Sequence, residues 1–208
     1  GHSSGAHTAM YMLVDHVIQQ LAEKYQTNKQ PRQNHAMGPL QNVDSFLGLS
    51  GPYDISHHFD YEAARGVEEL SPMKAVNGYT RENFKINSPA QRLQAALAHV
   101  HSSRTSRDQT GTVSTAAMDD LIPPMALIHG ICDETVPFTS TAEAARVLRS
   151  CGITHCDEIY LAETGHQDVV IQLMMGGPSL DETFAWIKRI DEKSLLSSTT
   201  QIHIQSKL

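Results

Sequence analysis

The chain has 208 residues, a formal net charge of −7, and is 40% hydrophobic and 19% charged. That is enough for one globular domain, and with an isoelectric point near 5.9 it offers no basic surface for nucleic acid or anionic lipid. Its three cysteines, Cys132, Cys151 and Cys156, have neither metal-type nor disulfide-framework spacing, which suits a reducing compartment better than secretion, and no apolar run approaches the roughly 18–20 residues that span a bilayer.

In chain order, Ala6, Met10, Leu13, Val14, Val17, Ile18, Leu21 and Tyr25 recur at three- and four-residue steps and predict an amphipathic helix over 4–26. A polar loop is predicted over 27–42, with Pro31, Gly38 and Pro39. Val43 to Ser50 reads as a short buried strand ended by Gly51-Pro52. Residues 54–97 read as an irregular, mostly helical excursion, and the Ser/Thr-rich stretch within 98–120 as a disordered polar insertion. Pro124 to His129 is a strand. Thr139 to Arg149 is a helix whose Ala142, Ala145, Val147 and Leu148 face inward. Glu158 to Ala162 is a further strand. Ser179 to Ile190 is a helix opened by a capping box of Ser179 and Glu182, with Leu180, Phe184, Trp186 and Ile187 as its apolar face. From 191 to 208 the chain reads as a flexible tail. Strands alternating with helices indicate an α/β fold, a parallel sheet flanked by helices, in one domain over 1–190.

The chain opens on Gly1-His2-Ser3-Ser4-Gly5, a G-x-S-x-G motif running into a helix. Small residues around Ser3 allow a sharp turn that presents its Oγ. The helix N-terminus behind it leaves backbone N–H groups free, Ser4 among them, to meet a developing oxyanion. A serine nucleophile needs a base, and the base an orienting acid. Asp133 follows the 124–129 strand and His166 follows the 158–162 strand, at the sheet edge where catalytic groups gather in open parallel sheets. Order and context predict Ser3, Asp133 and His166 as a catalytic set. Asp133 read alone is an ordinary turn acid, and Asp54, after the first strand, is the alternative acid. Asp168 reads as a helix-start or loop residue and Cys132 as a small loop filler. His57-His58 and His155-Cys156 lack four-ligand spacing, so no metal site and no cofactor are expected.

These residues resemble a family. Gly1-His2-Ser3-Ser4-Gly5-Ala6-His7 is similar to the elbow of prenylcysteine methylesterases. So are the stretch from Phe46 to Ile55, the His58-Phe59 and Glu69-Leu70-Ser71-Pro72 pieces, His129-Gly130 with Asp133 and Val136-Pro137, Gly165-His166-Gln167-Asp168, and Met175-Gly176-Gly177. His2 and Ser4 stand where that pattern has Gln and Ala, and Met175 where it has Arg. The resemblance implies the C-terminal part of an α/β-hydrolase fold and a carboxylic ester substrate, with formamidase-like or small acyl-ester hydrolysis as the runner-up. A non-catalytic binder on the same fold is the third reading. The resemblance also implies that an oxyanion loop and the first part of the sheet lie upstream of Gly1, so residues 1–208 alone are expected to be inactive and poorly folded. The ending Ser206-Lys207-Leu208 reads as an address for the peroxisomal import receptor. The family pattern instead suggests cytoplasm or internal membranes.

Overall fold

The computed structural model describes residues 1–25, 43–104 and 118–205. Helix α1 (Ser4–Tyr25) follows the predicted periodicity, with Ala6, Met10, Val14, Val17 and Leu21 almost wholly buried. The predicted loop at 27–42 lies outside the described residues. Strand β1 (Phe46–Leu49) is followed by four helices, α2 (Ile55–Ala64), α3 (Met73–Val76), α4 (Arg81–Ile86) and α5 (Pro89–Arg104). Helix α5 runs into the stretch read as a disordered insertion. No glycine or proline interrupts the chain from Ala90 to Arg104, so a polar composition alone does not break the helix. Residues 105–117 of that insertion lie outside the described residues.

Three parallel strands form the sheet in the order β1, β2 (Met125–Gly130), β3 (Cys156–Leu161). Phe46 pairs with Met125 and Met125 with Cys156, so the three strands start level; β2 and β3 end level, and β1 ends two residues earlier, opposite Ile128. Their carboxyl ends therefore deliver three loops to one edge. Before α1, His2 bridges Leu49 in parallel, with Ser3 N–H donating to Leu49 O at 2.8 Å and Leu49 N–H to Gly1 O at 2.9 Å. The start of the chain thus extends the sheet beyond β1 and delivers Ser3 to the same edge.

Side chains alternate across a strand, and the core divides accordingly. Met125 and Leu127 of β2 join the larger cluster, with residues of α1 and α5 and with Ala144, Ala145, Val147 and Leu148 of helix α6 (Thr139–Ser150). On the opposite face Ile128 packs with Leu49, Leu161 and Val169, the last from helix α7 (Asp168–Met175). Helices cover both faces, and β2, the middle strand of the three, is buried along its whole length, as central parallel strands are. In α6, Ala144 is buried and Ala142 only half-buried, a shift of the inward stripe from the predicted one.

Helix α8 (Pro178–Gln205) departs most from the sequence reading. It runs to Gln205 where a flexible tail was expected from 191, because no glycine or proline follows Pro178. Ser206, Lys207 and Leu208 lie outside the described residues. Pro178 occupies the first helical position, where its missing N–H costs nothing. Gly177 O accepts from Leu180 and Asp181 N–H. The capping box is therefore not formed. Ser179 lies inside the helix, its buried Oγ without a partner. The inward stripe is Ser179, Thr183 and Trp186, while Phe184 and Ile187 are 64% and 41% exposed. Positions 179, 183, 186 and positions 180, 184, 187 share one helical spacing, and the bulk of Trp186 decides which stripe packs.

Trp186 is 1% exposed, and its Nε1–H donates to Asp157 Oδ2 at 2.8 Å. Trp186→Ala is expected to cost about 3–5 kcal/mol of unfolding free energy, the usual range for emptying so large a buried site. A urea titration reads this as a lower midpoint at unchanged slope; an unmoved midpoint would mean that α8 does not dock on β3 in solution.

Candidate active site

The turn at Ser3 is tight because its backbone is left-handed, with φ of 53°, a conformation that costs a non-glycine residue roughly 1–2 kcal/mol. A Cβ on Gly1 would meet Gly5 O at 2.7 Å, whereas one on Gly5 would meet nothing within 4 Å. Of the two glycines flanking the serine, only the first is demanded by space. Ser4 is the first residue of α1, and its N–H meets no acceptor among the described residues.

Gly130 ends β2, where a Cβ would lie 2.1 Å from Thr164 O. Its absence lets the loop after β2 close onto the loop after β3, sealed by Cys132 N–H donating to Thr164 O at 3.0 Å. Asp133 and His166 meet across that seam. The Asp133 Oδ2 atom lies 2.7 Å from His166 Nδ1, and His166 Nε2 lies 3.0 Å from Ser3 Oγ. An ionised carboxylate only accepts, so Nδ1 carries the proton and donates to Asp133, leaving Nε2 to accept from the Ser3 hydroxyl. The structure thus brings together the three residues that the sequence order predicted.

Asp133 is 6% exposed. Burial by itself would raise its carboxyl. Hydrogen bonds from His129, from His166 and from the Val136 N–H together outweigh that and hold it well below the usual carboxylate range. Its Oδ1 accepts from Thr135 N–H at 2.9 Å and Val136 N–H at 2.8 Å. His129, wholly buried, presents Nε2 to both Asp133 Oδ2 at 3.2 Å and Val136 O at 2.9 Å. Both are acceptors, so Nε2 carries the proton and Nδ1 accepts from Thr141 Oγ1 at 2.8 Å. Sequence reasoning placed His129 in the acid loop but gave it no role, although its place four residues before Asp133 was the available signal.

The alternative acid, Asp54, is placed elsewhere. It caps α2, accepting from His57 N–H at 3.0 Å, and its other oxygen accepts from Gln91 Nε2. Asp168 opens α7 and accepts from Gly165 N–H at 2.9 Å, which shapes the turn just before His166. His57 meets Thr139 Oγ1, His58 meets Glu62, and His155 meets Asp119 and Ile122 O. No group of three or more His, Cys, Asp and Glu positioned for a metal ion occurs among the described residues. Cys132 is exposed at the loop, and Cys151 and Cys156 are buried free thiols. No helix among the described residues is long and apolar enough to cross a membrane.

Two further histidines were missed. His2 Nε2–H donates to His166 O at 3.0 Å, and the two rings lie 4.7 Å apart, so the residue before Ser3 braces His166. Burial lowers His2 from its ordinary value, which keeps a positive charge away from the neighbouring ring. His7, one turn into α1, donates from Nδ1 to Pro52 O at 2.9 Å.

Fold and site together define an α/β protein whose serine, histidine and aspartate stand in hydrogen-bonded series at the carboxyl edge of a parallel sheet. In sequence the chain is a distant relative of isoprenylcysteine alpha-carbonyl methylesterases. It is 25% identical over 185 residues to a probable isoprenylcysteine alpha-carbonyl methylesterase of Arabidopsis thaliana, covering 88% of this chain and 32% of that one. A probable enzyme of the same name from Oryza sativa is 25% identical over 83% of this chain and 34% of its own length. A second Arabidopsis methylesterase is 25% identical over 88% of this chain and 36% of its own. The chain therefore spans about a third of the length of these curated relatives. No family model matches it, and no solved structure does.

Proposed function

We propose that this chain carries the nucleophile, base and acid of a carboxylic ester hydrolase of the α/β-hydrolase fold. The observation that carries this reading is the series Ser3 Oγ, His166, Asp133, joined at 3.0 and 2.7 Å with Ser3 on a strained turn. Ser3 Oγ attacks the ester carbonyl as His166 Nε2 takes its proton, and Asp133 holds the imidazole in the productive tautomer. The Ser4 N–H lies free to donate to the oxyanion, and one such donor is typically worth about 2.7–4 kcal/mol. The tetrahedral intermediate then breaks its C–O bond, the alcohol leaves with the proton returned by His166, and an acyl-Ser3 ester remains. Water, deprotonated by His166, releases the acid and restores the Ser3 hydroxyl. The chain spans about a third of its relatives' length, and residues 1–208 alone are expected to turn over no ester.

The methylesterase names of the relatives favour the methyl ester of a prenylated cysteine as substrate. Purified full-length protein offered S-farnesylcysteine methyl ester, a short-chain acyl ester and an aryl formamide should release methanol from the first fastest. Preference for the formamide or the short ester would replace the substrate, and no turnover of any of the three would leave a non-catalytic binder.

A peroxisomal location for Ser206-Lys207-Leu208 is a separate proposal, resting on the tripeptide itself. Residues 191–208 fused behind a fluorescent protein should give punctate peroxisomal signal that deletion of Leu208 disperses. Diffuse signal in both forms would end it.

A further inference from the structure

Beside the proposed nucleophile, a groove of about 410 Å³ opens along α1, walled by Ser4, His7 and Tyr11 on one side and by Ile55, Pro72 and Val76 on the other. Ser4 belongs to both the elbow and the groove wall, so whatever fills the groove continues from the carbonyl held at Ser3. Most of the wall is apolar, and Val76 at its edge is 78% exposed. Ser4, Thr8, Ser71, Asn77 and Asn87 also line the groove, and His7 is the ring among its polar side chains. Pro52 O can only accept, so the His7 Nδ1 at 2.9 Å carries the proton. Burial lowers His7 from its ordinary value, so the ring is neutral and Nε2 bears a lone pair. That nitrogen has no partner among the described residues. The ring is held in place by stacking at 6.4 Å on Tyr11, over which the Arg92 guanidinium lies at 4.8 Å. An oriented acceptor is thus left open on the α1 side of the groove, one helical turn, about 5 Å, past Ser4.

We infer that His7 is a specificity residue, whose Nε2 accepts a hydrogen bond from an N–H of the substrate close to the scissile carbonyl while the groove takes the substrate's apolar arm. This rests on the ester-hydrolase reading and narrows it to esters that carry a donor a few bonds from the carbonyl, such as N-acylated amino-acid esters with a long apolar side chain. A simple fatty ester fills the groove but leaves the acceptor unmet, and an unmet buried acceptor costs binding.

The test uses the full-length protein with Ser3→Ala, so that intact esters bind without turnover, and two probes. One is N-acetyl-S-octylcysteine methyl ester; the other is the same thioether ester without the acetamido group. Calorimetry should show the first binding about three- to tenfold tighter, the range for one net hydrogen bond. Adding His7→Leu should bring the ratio to about one, and His7→Gln, whose amide oxygen accepts, should keep part of it. The same ratio with and without His7→Leu, or no preference at all in the Ser3→Ala protein, overturns the inference. Should the leucine variant fail to fold by circular dichroism, the nitrogen spectrum of the His7 ring decides. A shift of Nε2 with the acetamido ester alone supports the inference, and equal shifts with both probes overturn it. A preserved preference in a protein that hydrolyses neither ester leaves the His7 inference standing and removes the hydrolase reading.

Discussion

Ser3→Ala should abolish labelling by a fluorophosphonate and lower kcat on esters by on the order of 10⁶-fold in the full-length protein. On the proposed mechanism the loss is this large because the three groups act as a unit. Without the Oγ that His166 Nε2 meets at 3.0 Å, neither the base nor the acid behind it has a nucleophile to activate. What survives comes from substrate binding and oxyanion donors, on the order of 10³–10⁴-fold over water. Replacing Ser3 also relieves little strain, since alanine is as disfavoured at φ of 53°. The fold should therefore change little, and a thermal melt run alongside separates lost chemistry from lost structure. Equal labelling of native and alanine proteins would remove Ser3 from the mechanism.

The second large effect is expected at the acid. Asp133→Asn should lower kcat by on the order of 10⁴-fold, whereas Asp54→Asn should leave kcat within a few fold. Asparagine at 133 can present its amide NH₂ to His166 Nδ1, which turns the imidazole to the wrong tautomer with its proton on Nε2, facing the serine. Asp54 touches no part of this series. It caps α2, and replacing it by alanine would cost about 1 kcal/mol of stability. Equal losses of activity at both positions would contradict the geometry. The carboxyl of Asp133 also carries a pH dependence of fixed sign. Its hydrogen bonds to His129, His166 and the Val136 N–H hold it below the usual carboxylate range despite burial. The folded state thus binds that proton less readily than the unfolded chain does. The stability it contributes is fully present above the ordinary carboxylate value, near 3.9, and is lost as pH falls from there through the folded value. Urea titrations at stepwise lower pH should show native protein losing stability through this acid window more steeply than Asp133→Asn, once the other carboxylates common to both are cancelled.

By itself the sequence determined the order and type of the strands and of most helices, α7 aside, and singled out the three positions that the structure brings within hydrogen-bond distance. Each rests on a local signal: the 3.6-residue period of Ala6 to Leu21, short apolar strands closed by turn residues, and a serine, an aspartate and a histidine each at the end of a strand or the start of a helix. Where local signals were ambiguous, tertiary packing decided. Two stripes of α8 share one spacing, and only the fit of Trp186 against Asp157 and β3 selected the stripe that leaves Phe184 64% exposed. Polar composition suggested loose chain after Leu97 and after Ile190, yet helices continue to Arg104 and Gln205, since nothing in those stretches breaks a helix once packing has nucleated it. Asp133 and Asp54 could not be ranked by distance along the chain. Their roles diverged because Gly130 admits the Thr164 loop at close range, bringing His166 to Asp133, while Asp54 is consumed by the N-terminus of α2. The contacts of His2 and His7 were invisible for the same reason. A histidine's role is set by which nitrogen meets a carbonyl or a carboxylate, and those partners lie 164 and 45 positions away, joined only when the strands align and their loops converge at one edge.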